Sequence, residues 1–533
     1  MNLKEVMELG GRNLLGWLDS ERDYLPTGSW LITHDLGRLW DALLRLEDAT
    51  GFVIPGHMEG AMLRNLHWLT DNPDGMLFVP PGLDWIKPRF ELHSLREGIL
   101  TFNALVKYRN NHWAREAGHR YLETIRRCLK PDGTWDLLKF DYARHFAMAD
   151  ADRHLGDGFR PEDIFLHTNA ALSTTHGKSI EALVWFYETT GDSLALELAD
   201  RLARYHLSHS TNPDGTIPKE LTDEAYPGDR QSYQYTLCGL LLFGLLTHQS
   251  EYVDTVLRTY QISIPSIVNE CGWVAHDLGK NRFQDTSGNP LANTESTGAS
   301  IRLALWLALH TGRTELYDDV ERLVRARIFP GQTTEMDVQN NPGVEIHKIQ
   351  LGGWGGNEYP HAGKGCNPSG TAEIVHTLSA VYKHIATREE AGLVVYMHFD
   401  YADDSIEITT KRDKEATVTV CPRVHDNVLI RVPGWAPQET VQITVDGCQV
   451  SPLMTGSFAY VPKDRLRTGS QIVLRHALPT RRTTEAMPAG DTYQFGWRGD
   501  EIIGISPNKW PMPFYPTLEI GDLESPLSAK ETA

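Results

Sequence analysis

The sequence predicts a mainly α-helical chain whose helical hairpins repeat, followed by a strand-rich C-terminal third. Two observations carry this. First, Ala104-Leu105-Val106 opens a stretch ending in Pro131-Asp132-Gly133-Thr134, and Ala182-Leu183-Val184 opens another ending in Pro213-Asp214-Gly215-Thr216. Each reads helix, break, helix, with Asn110-Asn111-His112 and Thr190-Gly191-Asp192 as the breaks and a third at Thr311-Gly312-Arg313. One hairpin cannot bury its own apolar face, so repeated hairpins stack into a solenoid or close into a ring. Second, the apolar period changes from 3.6 to 2 beyond about Ala386.

Apolar residues at i, i+3, i+4 and i+7 predict helices near 34–50, 56–70, 93–109, 113–128, 176–189 and 193–208. Further helices are predicted near 233–247, 250–260, 295–311, 314–328 and 369–386, which makes roughly six hairpins. The connections 129–175, 209–232, 268–294 and 329–368 are long and rich in aromatic and polar residues. Long structured connections are usually functional, and emerging at one end of a ring they would form a cleft. Thr417-Val418-Thr419-Val420 is β-branched and alternating, which favours a strand. Strands are likewise predicted at 428–432, at 441–445 before Asp446-Gly447, at 471–476, at 493–497 and at 502–505. Short strands at this spacing suggest a β-sandwich. The expected division is a helical ring over 1–388, a β-sandwich over 389–524 and a disordered tail over 525–533.

A net charge of -19 argues against nucleic acid or an anionic membrane as the main partner. Six scattered cysteines, with no CxxC pair, read as free thiols in a reducing compartment. Met1–Gly16 lacks the apolar core of a signal peptide, and no apolar run approaches the ~18 residues a membrane span needs. The expected location is the cytoplasm.

No P-loop, dinucleotide fingerprint, HExxH or GxSxG motif is present. The candidates for chemistry sit at helix starts and in the long loops. His93, Arg96 and Glu97 share one helix start, and His176 and Lys178 open the repeat-related helix. Capping or surface charge accounts for each singly; their matching places in two hairpins point to a cleft. Tyr233 lies at the next start, and Trp273, His276, Asp277 and Lys280 crowd the loop after it. Glu295 opens a helix in Thr294-Glu295-Ser296-Thr297-Gly298, where a carboxylate also favours the positive helix end. Gly352-Gly353-Trp354-Gly355-Gly356-Asn357-Glu358-Tyr359-Pro360-His361 offers close backbone approach and, in an exposed Trp354, a stacking face for a sugar. Asp277, Glu295 and Glu358 suit acid/base cleavage of a glycosidic bond.

Several blocks, in order, resemble glycoside hydrolase family 127, the β-L-arabinofuranosidase group. Glu91-Leu92-His93-Ser94-Leu95 resembles its Glu-Cys-His-Glu-Leu block, and Thr175-His176-Gly177-Lys178-Ser179-Ile180-Glu181 its Gly-His-Pro-Glu-Ile-Glu block. Thr297-Gly298-Ala299-Ser300-Ile301 resembles the end of Glu-Thr-Cys-Ala-Ser-Ile, and Gly365-Cys366-Asn367-Pro368 the Cys-Cys block. Arg431-Val432-Pro433-Gly434-Trp435-Ala436 is similar to its Arg-Ile-Pro-Gly-Trp motif.

The resemblance implies an (α/α)6 toroid of six helical hairpins plus a C-terminal β-sandwich, with His93 and His176 as substrate contacts. It also implies a zinc held by one glutamate and three cysteines, one of them the nucleophile. This sequence departs there. The block's cysteine falls on Gly298, and its glutamate on Ser296, or on Glu295 with a one-residue slip. One cysteine of the adjacent pair falls on Gly365, which leaves Cys366 alone. One thiolate cannot rebuild a three-thiolate site. The family's acid/base glutamate corresponds to the loop His276–Lys280, where Asp277 is the nearest carboxylate.

The expectation is a glycoside hydrolase that acts on a small oligosaccharide by carboxylate chemistry, with no metal or other cofactor. Asp277, Glu295, Glu358, Tyr359 and His361 are the catalytic candidates. His93, Arg96, His176, Lys178, Tyr233, Trp273, His276 and Trp354 are the binding candidates. A lyase using Tyr359 or His361 against a uronate is the second reading. A non-catalytic sugar-binding protein is the third.

Overall fold

The computed structural model describes residues 2–26, 32–79, 94–136, 139, 176–222, 229–279, 292–340, 350–355, 357–358, 364–451, 453–467, 469–486, 492–508 and 514–518. Among the described residues, twelve helices of eight residues or more build the N-terminal part: α1 Leu3–Gly16, α2 Ile32–Thr50, α3 Gly56–Thr70, α4 Leu95–Arg109, α5 His112–Cys128, α6 Ser179–Thr190, α7 Ser193–His209, α8 Arg230–Leu246, α9 Ser250–Ile267, α10 Thr294–Thr311, α11 Leu316–Leu323 and α12 Pro368–Lys383. Helices α2, α4, α6, α8, α10 and α12 pack side by side in that order, and α12 closes on α2. These are the inner ring of an (α/α)6 toroid.

The two layers differ as burial demands. Inner helix α2 is buried at every residue from Ile32 to Leu44. Outer helix α5 buries Ala114, Ala117, Gly118, Tyr121, Leu122, Ile125 and Cys128, a single stripe at helical spacing. Each fully buried leucine on such a face contributes about 1.5–3 kcal/mol. The inner helices also approach closely. A Cβ on Gly37 of α2 would stand 2.4 Å from the Glu97 carbonyl oxygen of α4.

The hairpin breaks work as paired caps. Asn110 ends α4 in the left-handed region, φ 49°, and the Asn111 side chain accepts from Ala114 N to start α5. Gly191 ends α6 at φ 71°, and Asp192 caps α7. The repeated Pro-Asp-Gly-Thr turns match too. Asp132 Oδ1 accepts from Thr134 N at 2.9 Å and Oγ1 at 2.6 Å, and Asp214 holds Thr216 at the same distances.

Three helical expectations need correction. Leu3–Gly16 forms α1, which no expected helix covers, with Leu3, Val6, Met7, Gly10 and Leu14 buried at helical spacing. It packs on α12, so the sixth hairpin joins the two ends of the ring. The helix expected over 314–328 turns π-helical at Val324–Ile328. Helix α9 runs past 260 to Ile267, with Pro265 tolerated in its last turn.

Beyond α12 the chain is strands: β1 Ala386–Glu389, β2 Gly392–Val395, β3 Tyr401–Ala402, β4 Ile406–Arg412, β5 Glu415–Pro422, β6 Val428–Arg431, β7 Gln442–Val445, β8 Cys448–Val450, β9 Leu453–Thr455, β10 Phe458–Val461, β11 Ile472–Ala477, β12 Thr480–Ala486, β13 Thr492–Arg498 and β14 Glu501–Ser506. One sheet runs β9-β10-β6-β2-β1 and another β8-β7-β11-β5-β4-β3. Ile430, Val461 and Val395 of the first share a core with Val418, Ile443 and Leu474 of the second, which makes a β-sandwich. Strand β5 alternates exposed and buried residues, as a half-buried strand must. Strands β12, β13 and β14 form a third sheet, whose Phe495 and Trp497 pack with Cys271, Trp273 and Ala326 of the ring.

The Arg-Val-Pro-Gly-Trp motif ties sandwich to ring. Arg431 is buried and bonds both Asp318 and Glu321 on α11, and Gly434 N donates to Asp318 Oδ2 at 2.8 Å. Glu321 Oε1 also accepts from His398 N at 2.8 Å.

Candidate active site

All the inner helices start at one end of the ring, so side chains far apart in sequence meet there. Side-chain caps set three of these starts: Asp229 accepts from Ser232 N, Asn293 from Ser296 N and Asn367 from Gly370 N. Asp35 and Arg38 come from α2, Arg96 and Glu97 from α4, Lys178 and Glu181 from the start of α6, Gln231 and Tyr235 from α8, Glu295 from α10, and Ser369 from α12.

Arg38 is the hub. Its Nη1 donates to Glu295 Oε2 at 2.6 Å and to Ser369 Oγ at 3.2 Å, and its Nε to Glu97 Oε1 at 3.2 Å. Gln231 Nε2 donates to the same Glu295 oxygen at 2.5 Å. Both donors take Oε2, which fixes the carboxylate plane and leaves Oε1 engaged by neither. Arg96 bonds Glu97 at 3.2 Å and Glu181 at 3.4 Å, and its guanidinium lies 4.2 Å from the centre of the Tyr235 ring. Lys178 Nζ lies 3.5 Å from Glu97 Oε2. Deeper along the axis, Arg302 bridges Glu181 at 2.9 Å and Glu373 at 3.2 Å. Arg302 also donates to His376 Nε2 at 3.0 Å, so His376 presents Nδ1–H to Asp41, 2.6 Å away.

The charges explain the protonation states. Five cations, Arg38, Arg45, Arg96, Lys178 and Arg302, pair with five carboxylates, Asp41, Glu97, Glu181, Glu295 and Glu373. Asp35 is a sixth carboxyl, and Arg38, the cation acting on it, already serves Glu97 and Glu295. Burial therefore pushes Asp35 up to about 8; Arg38 opposes this and the Glu295 charge adds to it. Burial also works against the charge on Glu295, but Arg38 and Gln231 outweigh it and hold that carboxyl below its usual range. Glu97 is held well below, since the Lys178 and Arg38 charges outweigh its burial. Lys178 is pulled down to about 8 by burial, with Glu97 opposing. His34 is lowered to about 4 by burial and by Arg38, so it is neutral beside Glu97.

The expected site residues divide. Arg96, Lys178 and Glu295 are brought together by the Arg38 and Glu97 contacts. His176 is buried next to this cluster, its ring centre 4.5 Å from that of Trp135. Tyr233 is fully buried in α8. His276 and Asp277 pair with each other at 3.0 Å; Asp277 is fully buried, forms a backbone bridge with Asp229, and its carbonyl accepts from Arg230 Nε at 2.7 Å. Glu358 is placed by its backbone, which pairs with Ala292 three residues before Glu295. His93, Tyr359 and His361 lie outside the described residues, as does the tail from 525.

Two tryptophans need correction. Trp354 offers no stacking face: it is fully buried, its Nε1 donates to Ile328 O at 2.8 Å, and its ring packs on Gly10. The glycines around it serve packing, since a Cβ at Gly352 would stand 2.4 Å from Leu9 O. Trp273 is also buried, between Arg327 at 4.0 Å and Phe514 at 5.1 Å, with Nε1 on the Tyr515 hydroxyl at 3.3 Å.

Asp35, Arg38, Gln231 and Ser369 are site residues that the sequence reading did not select. The signal was there for α2. Asp35, Arg38, Asp41 and Arg45 form a charged stripe at spacings of three and four along α2.

The residues present do not fit a thiolate zinc site. At position 298 a Cβ would stand 3.1 Å from Glu373 Cγ and from Ile374 Cδ1, so that position is filled by α12. Cys366 Sγ lies 3.6 Å from Asn13 Oδ1, against α1. Among the described residues, no three His, Cys, Asp or Glu side chains are grouped to hold a metal.

Solved structures share this architecture. Ara127N-Se, a GH127 β-L-arabinofuranosidase from Geobacillus stearothermophilus T6, aligns over 94% of this chain and 80% of its own, at 14% identity and a TM-score of 0.56. The GH127 β-arabinofuranosidase BT3674 aligns over 92% of this chain and 78% of its own, at 14% identity and a TM-score of 0.58. The chain has the fold of the GH127 β-arabinofuranosidases. A third structure, described as a glycoside hydrolase, aligns over 93% of this chain at 12% identity and a TM-score of 0.55. No protein-family model matches the sequence, and no curated protein matches it. The GH127 likeness therefore rests on the toroid and sandwich together, and the site must be read from its own residues.

Proposed function

We propose that this chain is a glycoside hydrolase that cleaves a small oligosaccharide by carboxylate acid/base chemistry. One observation carries the reading. The inner-helix starts hold two buried carboxyls that their surroundings drive apart, Asp35 pushed up to about 8 by burial and Glu295 held below its usual range by Arg38 and Gln231, with Arg38 also donating to Ser369. A pair driven apart in this way has the acid and the base a glycosidic bond requires. Asp35 protonates the leaving oxygen. Glu295, with Oε2 fixed, presents Oε1 to the anomeric carbon or to its attacking water. Asp277 and Glu358 remain candidates for positioning substrate or water, with His93, Arg96, His176 and Lys178 as sugar contacts. The shared fold with two β-arabinofuranosidases makes a furanoside or pyranoside oligosaccharide the substrate class to test first.

We also place the protein in the cytoplasm. All six cysteines are free, three of them buried, as suits a reducing compartment. No helix among the described residues is long and apolar enough to cross a membrane.

The test is hydrolysis of a panel of aryl glycosides and short oligosaccharides by the intact chain and by Asp35→Asn and Glu295→Gln. Turnover that falls by about 100-fold or more in both folded variants supports the reading. Saccharide binding without turnover by the intact chain would sink it, and product absorbance from an unsaturated uronide would make it a lyase.

A further inference from the structure

A cavity of about 430 Å³ lies at the junction of ring and sandwich. Its wall includes three cations, Arg325, Arg412 and Lys364, against one carboxylate, Glu501, and Phe399, Phe514 and Tyr515 supply aromatic surface. On the π-helical turn Val324–Ile328, Arg327 Nη2 donates to Thr294 Oγ1 at 2.9 Å in the ring, and Arg325 lines the cavity.

Arg325 is the unusual group. Its side chain is 5% exposed and lies 4.2 Å from the centre of the Phe399 ring. Nη2 donates to Glu321 Oε1 at 3.1 Å and to the His398 carbonyl, and Nε lies 3.6 Å from Asp500 Oδ2. Nη1 is buried with no hydrogen-bond partner among the described residues. Arg412 repeats the pattern. Its Nη2 bonds Asp500, while its buried Nε stands 3.6 Å from Glu501 Oε2, beyond hydrogen-bond length. A guanidinium keeps all five N–H groups, and each buried one calls for an acceptor. Burial pulls Arg325 below the ordinary arginine value, with Arg412 adding and the Asp500, Glu321 and Glu501 charges opposing.

We propose that this junction cavity binds a small sugar carrying one oxyanion, a sugar acid or a sugar phosphate. Arg325 and Arg412 on its wall hold the oxyanion, and Phe399, Phe514 and Tyr515 cover the apolar ring face. Planar guanidinium groups match carboxylate and phosphate alike, and aromatic faces suit the C–H side of a sugar. Ligand pockets of small molecules begin at about 300 Å³, so the cavity holds one such ring. The site goes beyond the proposed hydrolysis and is read by binding alone.

Calorimetric titration of the whole chain with D-glucuronate, glucose 6-phosphate, D-glucose and inorganic phosphate at fixed ionic strength tests it. At least one sugar anion should bind with a Kd of about 1 mM or tighter, and D-glucose at least tenfold more weakly. Glucuronate alone identifies a carboxylate ligand, and glucose 6-phosphate alone a phosphate ligand. Arg412→Gln should weaken binding at least tenfold. Pro330→Trp fills the cavity without removing a charge and should abolish binding even if Arg412→Gln fails to fold. Glu295→Gln, at the ring mouth, should leave the affinity unchanged. The proposal falls if neither anion binds, if D-glucose binds as well, or if inorganic phosphate alone matches the sugars. It also falls if Glu295→Gln removes the binding and Pro330→Trp does not.

Discussion

Arg38 Nη1 and Glu295 Oε2 stand 2.6 Å apart although 257 positions separate the residues in sequence. The pair joins the first inner helix to the fifth across the ring. It also decides which of the neighbouring carboxyls is charged. By satisfying Glu295 and Glu97, Arg38 leaves too little attraction to ionise Asp35, and that acid stays protonated at neutral pH.

Removing Arg38 should therefore move the acid limb of the pH–rate profile. In Arg38→Gln, Glu295 loses the partner that outweighs its burial, so its pKa rises. The acid limb should shift to higher pH, and kcat at pH 5 should fall more than kcat at pH 7. An acid limb identical to that of the unmodified chain would remove Glu295 as the ionised partner.

The toroid was legible because its hairpins repeat a turn and a pair of caps: Asn110 with Asn111, and Gly191 with Asp192, end one helix and start the next. The β-sandwich was legible because β5 and β7 alternate. Helix α1 was not, since its partner α12 lies more than 350 residues away and nothing local marks that pairing. The site was half legible. Glu295, Arg96 and Lys178 stood at helix starts, where the topology collects them. Asp35 and Ser369 did not stand out, because their chemistry comes from neighbours on other helices. Trp354 misled for a similar reason: glycine neighbours mark close backbone approach, and here the approaching group is α1.

Arg431 should matter to stability rather than to turnover. Its guanidinium bonds Asp318 and Glu321, and both carboxylates would be left without it at the ring–sandwich junction. Breaking a buried pair by deleting one partner costs about 3–5 kcal/mol. Urea unfolding of Arg431→Met should show a loss of that order, with KM unchanged in the fraction that folds. A variant as stable as the unmodified chain would show that the motif does not hold the junction.

Thiolate chemistry should be dispensable. Cys366→Ala should keep most of its activity, and chelators should leave turnover intact, because the family's other cysteine positions are Gly298 and Gly365. Gly298→Cys should not create a metal site; it should lower Tm, since its Cβ would press on Glu373 and Ile374 at 3.1 Å. Stoichiometric zinc in the purified chain, lost together with activity in Cys366→Ala, would refute this.

Asp35 should show opposite effects on activity and stability. Its pKa is raised in the folded chain, from an ordinary 3.8 to about 8. Below the unfolded value both states hold the proton, and Asp35 costs no stability. As pH rises above it the unfolded chain releases the proton while the folded chain keeps it, so stability drains away until the folded pKa is passed. Asn holds a neutral amide at every pH and escapes this loss. Asp35→Asn should therefore have a Tm advantage that is small at pH 4, grows to about pH 8 and then levels off. Its turnover should be lower by roughly 100-fold or more, and the alkaline limb of the pH–rate profile, set by the loss of this proton, should vanish. Scanning calorimetry from pH 4 to pH 9 alongside the rate profile separates the two effects. A Tm difference that stays flat with pH, or an alkaline limb that survives in Asp35→Asn, would mean that Asp35 is ionised like its neighbours and that the acid lies elsewhere at the ring mouth.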